Sequence, residues 1–315
     1  MYGELAIFSG CANRNLAQEI CDYLKVSLQG VTIIDYPNEN IFVKLERSVR
    51  GQDVFIVQPM TSPVNRNIME LLIMIDTMRR ASAGRITAVV PYYAYARSDK
   101  KDQPRVPITA RLIADMITVA GADRYMTIDL HAGQIQGFFN IPGDELTAFH
   151  ILSDYYKKKQ IPDTTVVSAD LGFAKKARNF AEKLHLPMAF IEKRRMDGGM
   201  GVEDLSIIGH VEGRNCILVD DEVDTAGSMV EAVLLIKANG GRDVYLSFTH
   251  PLFSGSAVER LKDLPIKEIV TTNTIYLPPE KRLPNVTVLS VAPLLGEVIR
   301  RTHEGISVGE WLKDV

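Results

Sequence analysis

At 315 residues, 46% hydrophobic and 24% charged with a formal net charge of −3, the chain is composed like an ordinary soluble globular protein, with material for two cores and no basic surplus to hold nucleic acid. Cys11, Cys21 and Cys216 lack C-x-x-C spacing and sit in apolar or helical contexts, which reads as reduced core residues rather than a disulfide or zinc framework. The N-terminal MYGELAIFSG has no basic region ahead of a long apolar stretch, and no apolar run reaches membrane-spanning length, so the expectation is a cytoplasmic protein.

Strand-like apolar runs follow at 5–10, 31–37, 53–59, 85–93 and 124–131, and the apolar spacing predicts a helix over Asn13–Lys25. The pattern then restarts, with runs at 164–170, 188–195, 216–221, 243–250, 268–275 and 286–292 and a helix predicted over Phe173–His185. Strands alternating with helices mean βαβ units and mainly parallel sheets. The restart is also visible in the letters. GRITAVVPY (84–92) aligns with GRNCILVDD (213–221), and GADRYMTIDLH (121–131) aligns with GGRDVYLSFTH (240–250). The expected fold is therefore α/β, with two related halves, each a mainly parallel sheet flanked by helices, and with domains over 1–146 and 147–315. A last helix, Leu294–Glu304, is placed to cross back to the first domain.

Chemistry gathers at the predicted strand ends. After the strand Ala88–Tyr93, the loop YARSDKKDQPRVP carries Arg97, Lys100, Lys101 and Arg105, cations suited to polyphosphate. His131 is expected to close the strand Met126–Leu130, and Asp170 to end the strand Thr165–Ala169. Together they would make a mixed nitrogen and oxygen pair for Mg²⁺, which takes one or two protein ligands and completes its shell with water and phosphate. FIEKRRMDGGMGVEDL then sets Lys193, Arg194 and Arg195 ahead of Gly198, Gly199 and Gly201, a cationic lid in pattern.

The richest stretch is CILVDDEVDTAGS, 216–228. Its apolar run is a strand buried on both faces, so Asp220 and Asp221 are expected at the strand's C-terminal end, as acceptors for vicinal hydroxyls. Asp224, Thr225, Ala226, Gly227 and Ser228 must turn into the following helix, whose N-terminus would cradle a phosphate. A diol at one end and a phosphate at the other describe a sugar phosphate. No G-x-x-x-x-G-K-[ST] or G-x-G-x-x-G is present, which excludes P-loop and typical dinucleotide binding. The sum asks for transfer between a polyphosphate and a sugar phosphate.

VDDEVDTAGS, YARSDKK, IDLHAGQIQGFF, FIEKRR, FTHPLFSG and SVAPLLGEVIRRTHEGISV resemble, in order and spacing across essentially the whole chain, the ribose-phosphate diphosphokinases. Their length and spacing are similar to the phosphate-activated, ATP-using class. The resemblance implies two phosphoribosyltransferase-like halves, hexamers assembled from dimers, and transfer of the β,γ-diphosphoryl group of Mg·ATP to O1 of ribose 5-phosphate. It implies Mg²⁺ at His131 and Asp170, transition-state stabilisation by Lys193 and Arg195, and ribose 5-phosphate held by Arg195, Asp220, Asp221 and Asp224 to Ser228.

On the nucleotide side, the resemblance assigns ATP contacts to Tyr36, Asn38, Glu39, Asn40, Arg97 and Ser98. It assigns an anion site, activated by phosphate and inhibited by ADP, to Ser48, Arg50, Ser82 and Ser307. This is also where the chain departs from the family pattern. Tyr36-Pro37-Asn38-Glu39-Asn40 stands where Phe-Ser-Asp-Gly-Glu is usual, and Arg97-Ser98-Asp99-Lys100-Lys101 where Arg-Gln-Asp-Lys-Lys is usual. Two other readings fit part of the pattern: a catalytically weak regulatory homologue, and a phosphoribosyltransferase sharing the acidic turn.

Overall fold

The computed structural model describes residues 3–195 and 203–314, with only the backbone at 193–195, 203, 204, 313 and 314. It divides into two compact units, Met1–Thr147 with Thr274–Tyr276 and Ser290–Val315, and Ala148–Asn273 with Leu277–Leu289.

The first unit opens with β1 (Leu5–Ser9) and α1 (Arg14–Leu24). Helix α1 starts where the Asn13 carboxamide accepts the Leu16 amide at 3.2 Å, and it stops at Lys25 in the left-handed conformation. A two-stranded antiparallel ribbon, β2 (Val31–Asp35) and β3 (Ile41–Leu45), stands outside the main sheet. Then come β4 (Asp53–Val57), α2 (Val64–Arg80), β5 (Arg85–Val90), α3 (Thr109–Ala120), β6 (Arg124–Ile128) and β7 (Gly143–Leu146). The sheet order β1-β4-β5-β6-β7 follows the chain, and every pair is parallel.

The second unit runs α4 (Phe149–Lys159), β8 (Thr164–Ser168), α5 (Ala174–Leu184), β9 (Met188–Arg195), β10 (Glu203–Ile208), β11 (Asn215–Val223), α6 (Gly227–Ala238), β12 (Val244–Pro251), α7 (Ala257–Lys262), β13 (Ile266–Thr272) and β14 (Val286–Leu289). Its sheet order is β10-β9-β8-β11-β12-β13-β14, parallel except for the β9–β10 hairpin. Central strands β4, β8 and β12 are buried along their whole length, which is why they read as continuous apolar runs.

The chain then returns to the first unit through α8 (Ala292–Glu304) and α9 (Val308–Asp314). Helix α8 packs on α1 where Gly296 meets the Tyr23 ring, leaving no room for a Cβ. Its far end is held by buried Asp53, which accepts Arg85 Nε at 2.8 Å and pairs with His303 Nδ1 at 2.8 Å.

The α/β expectation of two parallel sheets holds, and the equivalent pairs β5–β6 and β11–β12 carry the aligned segments. Several boundaries differ. β5 ends at Val90, because Pro91 has no N–H for the ladder, although residues through Tyr93 stay buried and so read as strand. β6 stops at Ile128, so His131 lies beyond the strand rather than closing it, and β8 stops at Ser168, short of Asp170. β11 runs on to Val223, because β12 continues beside it with Asp220 opposite Phe248 and Glu222 opposite His250. Asp220 and Asp221 are therefore within the strand, not at its end. Cys11 is exposed in the turn after β1, unlike buried Cys21 and Cys216.

Candidate active site

In the second unit the chain lays β9 on one side of β8 and then β11 on the other. Such a reversal opens a crevice at the carboxyl ends of the two strands, where open α/β sheets bind ligands. Their pairing ends at Ser168 opposite Val219, and the residues that follow each of these two line that opening. From the turn after β8 comes Asp170, exposed, whose Oδ1 accepts the Phe173 amide at 2.8 Å and shapes the turn into α5. From β11 come Asp220 and Asp221. The Asp221 amide donates to Asp220 Oδ1 at 2.9 Å, and the Glu222 amide to Asp221 Oδ1 at 2.9 Å. Burial, then the charges of Asp221 and Asp170, pushes the Asp220 carboxyl well above its usual range.

Past Val223 the chain turns through Asp224 and Thr225 to Ala226, a non-glycine residue in the left-handed conformation with φ 62°, and α6 begins at Gly227. The helix has no acidic side chain in its first turn, so its N–H groups and dipole are not neutralised from within. Segment 252–254 pins this turn from behind. Leu252 and Phe253 amides both donate to the Val223 carbonyl at 3.1 Å, and the Ser254 amide donates to the Asp224 carbonyl at 3.0 Å. Arg260 of α7 donates Nη1 to the Thr225 carbonyl at 3.0 Å. A cation therefore stands against the anion turn. Nothing in the sequence marked Arg260, because one arginine in AVERLK is an ordinary helix-surface residue.

The remaining assigned residues fall elsewhere. Tyr36 to Asn40 form the tip of the β2–β3 ribbon, all exposed. The Tyr36 amide donates to the Asn40 carbonyl at 2.9 Å, Glu39 takes φ 66°, and Asn38 Oδ1 accepts the Asn40 amide at 3.3 Å. Arg97 is exposed in the β5–α3 loop. Ser98 in the same loop spends its hydroxyl on the start of α3, accepting the Thr109 amide at 3.2 Å. His131 is exposed after β6, in the first unit, whereas Asp170 belongs to the second. Among the described residues no group of three or more His, Cys, Asp or Glu is arranged to hold a metal. Lys193 and Arg195 have backbone places in β9, opposite Leu205 and Glu203, with side chains outside the described residues. Gly198, Gly199 and Gly201 of the expected lid also lie outside them.

Of the four residues assigned to an anion site, three meet. The Arg50–Ala83 bridge brings Ser48 and Arg50 beside Ser82, and the Gly51 amide donates to the Ser82 carbonyl at 2.8 Å. Ser307 sits in the α8–α9 turn, its carbonyl accepting from Arg301 at 3.1 Å.

The crowded carboxylates have a measurable cost. Because folding raises the affinity of Asp220 for its proton, the ionised form is penalised in the folded state. The penalty is absent below the ordinary value of 3.8 and grows as pH rises above it. Asp220→Asn should therefore stabilise the ligand-free protein at pH 7 by about 1 kcal/mol. Urea unfolding across pH should show the gap between variant and parent closing as pH falls toward 3.8. A gap that persists at acid pH would assign the effect to packing instead.

Residues 5–121 match the family described as the N-terminal domain of ribose phosphate pyrophosphokinase, and residues 201–313 match the phosphoribosyl synthetase-associated domain. A ribose-phosphate pyrophosphokinase of Caldanaerobacter subterraneus subsp. tengcongensis is 50% identical over 97% of each chain, and one of Clostridium acetobutylicum is 48% identical over 98% of each. The crystal structure of a phosphoribosylpyrophosphate synthetase from Mycobacterium smegmatis superposes with a TM-score of 0.91 at 42% identity, covering 96% of this chain and 100% of that one. Agreement of this extent over both halves identifies the chain as a member of the ribose-phosphate pyrophosphokinase family.

Proposed function

We propose that this protein is a ribose-phosphate diphosphokinase. It transfers the β,γ-diphosphoryl group of ATP to O1 of ribose 5-phosphate: the O1–Pβ bond forms, the bond from Pβ to the α-phosphate oxygen breaks, and AMP leaves. The observation that carries this reading is the second unit's crevice, where crowded carboxylates and an anion-ready helix start lie one turn apart. Asp220 and Asp221 accept from the ribose hydroxyls, and Asp224 to Ser228 hold the 5-phosphate against the α6 N-terminus. Lys193 and Arg195 meet the charge of the transferring group, with Arg97 and the Ser98 loop on the nucleotide side.

Mg²⁺ suits the donor chemistry of this crevice, whose carboxylates are crowded enough to raise Asp220. His131 and Asp170 are the residues that would hold it, and the ion would supply neutralisation of the polyphosphate charge. The same reading includes assembly of dimers into a hexamer, a cytoplasmic setting, and phosphate activation at Ser48, Arg50, Ser82 and Ser307. Among the described residues no helix is long and apolar enough to cross a membrane.

Purified protein with Mg·ATP and ribose 5-phosphate should release AMP in step with an acid-labile sugar diphosphate. AMP release that does not depend on ribose 5-phosphate would defeat the reading. Lys193→Ala should lower kcat about 10²–10³-fold with little change in ribose 5-phosphate affinity, the pattern of a contact made in the transition state. An unchanged kcat removes Lys193 from the mechanism. Arg50 is the most direct anion anchor of the regulatory set, since a guanidinium grips phosphate at two points. Arg50→Ala should therefore weaken the response to inorganic phosphate and to ADP, and an unaltered response to both would overturn that assignment.

The ribbon tip bears on the choice of donor. Asn38 already engages its carbonyl oxygen with the Asn40 amide, so the NH₂ is the half of its amide left to meet a base. An NH₂ suits the keto oxygen of guanine better than an ionised carboxylate does. ATP should remain the preferred donor while Asn38→Asp with Asn40→Glu widens the ATP-to-GTP ratio of kcat/KM. Equal ratios in parent and double variant would mean that neither asparagine reads the base.

A further inference from the structure

The β2–β3 ribbon carries Tyr36 to Asn40, yet it belongs to neither large sheet, and a two-stranded ribbon is marginal on its own in water. Its direction must come from outside itself. Just before Tyr36, Asp35 receives both Arg66 Nη2 hydrogen bonds, at 2.8 and 2.9 Å, one to each carboxylate oxygen. Arg66 lies in the first turn of α2 and through Nη1 also donates to Glu70, one turn further along.

Glu70 is fully buried. Its Oε1 accepts the Cys11 amide at 2.6 Å and Gln58 Nε2 at 2.8 Å, and Gln58 Oε1 accepts the Ala12 amide at 3.1 Å. The knot fills the carboxyl ends of β1 and β4 so closely that a Cβ on Gly10 would collide with both Gln58 and Glu70. The residue before Arg66 joins the other nucleotide-side segment, because Asn65 Oδ1 accepts the Tyr95 hydroxyl of the β5–α3 loop at 2.6 Å. The start of α2 thus touches both segments, with its arginine anchored in the core.

We propose that Arg66 is a positioning residue for the nucleotide. It acts as a strut between the buried Glu70 and Asp35 that fixes the direction of the Tyr36–Asn40 tip before ATP binds. The assignment rests on the reading above that this tip meets the donor base. A guanidinium suits the task because its planar fork serves two carboxylates at once, where an ammonium would be a point charge without direction. Preorganisation of this kind lowers the ordering cost of binding, so its loss shows in the affinity for ATP rather than in the chemical step.

The test uses Asp35→Asn, which leaves the Arg66–Glu70 pair in place, together with Arg66→Lys, which keeps a cation for Glu70, and the two combined. Each single variant should raise KM for ATP about tenfold while kcat and KM for ribose 5-phosphate change less than about threefold. The double variant should be no worse than the weaker single, because both break one link. Tyr36→Ala is measured alongside. If it raises KM for ATP and the strut variants do not, the strut is overturned while the ribbon tip keeps its role. If Tyr36→Ala leaves KM for ATP unchanged, the tip does not read the donor and both assignments fall. A loss of kcat in Asp35→Asn equal to its change in KM would mark a general structural fault and also overturn the proposal.

Discussion

The second unit is organised around negative charge that one crevice gathers. Asp170, Asp220 and Asp221 converge where β8 and β11 part company, and burial together with mutual repulsion raises the proton affinity of Asp220. A surface could disperse such charge into water, but Asp220 and Asp221 are adjacent residues of a buried central strand, so their carboxylates stay close. On the proposed reading, hydroxyl donors or a divalent cation would relieve this repulsion on binding. That is a reason for affinity which no single contact supplies.

The two related halves treat the ends of their strands differently, and topology explains the contrast. In the first unit strand order follows the chain, so adjacent strands open no reversal, and the ends of β1 and β4 are filled by Gln58 and Glu70 with their hydrogen-bond partners. In the second unit β9 and β11 leave β8 in opposite directions and the crevice stays open to a ligand. The same sheet architecture thus yields a buried polar knot in one half and a crevice lined by carboxylates in the other. The first holds loops, and the second is the site proposed for substrate.

What was legible in the sequence follows from what leaves a mark on composition. Strands buried on both faces appear as apolar runs, and α1 and α5 appear with their ends because polar or left-handed residues cap them at Asn13, Lys25 and His185. Runs overshoot where burial outlasts hydrogen bonding, as from Pro91 to Tyr93. β7, the edge strand Gly-Asp-Glu-Leu, has no apolar run to announce it, and β3 is half exposed with only alternate residues inward. The acidic pair and the anion turn were visible because several rare features fall within one short stretch. Arg66 and Arg260 were not, since an arginine that reaches across to another element looks in sequence like any solvated helix residue.

The left-handed residues show where such tertiary constraints overrule local preference. Glycine takes a positive φ without cost, yet Glu39 at the ribbon tip and Ala226 at the start of α6 adopt it at 66° and 62°. A side chain there costs roughly 1–2 kcal/mol, which persists only if neighbouring bonds over-determine the backbone. At Ala226 those bonds precede it on the β11 side, from 252–254 and Arg260 to the carbonyls of Val223, Asp224 and Thr225. At Glu39 they are its own amide to the Tyr36 carbonyl and the Tyr36 amide to Asn40, with Asp35 next along the chain held by Arg66. Both strained residues stand at surfaces proposed for ligands; Ala226 follows carbonyls held from another element, and the Glu39 tip follows Asp35, which Arg66 of α2 holds. At both proposed ligand surfaces, amides and cations from another element thus hold the chain just before the strained residue.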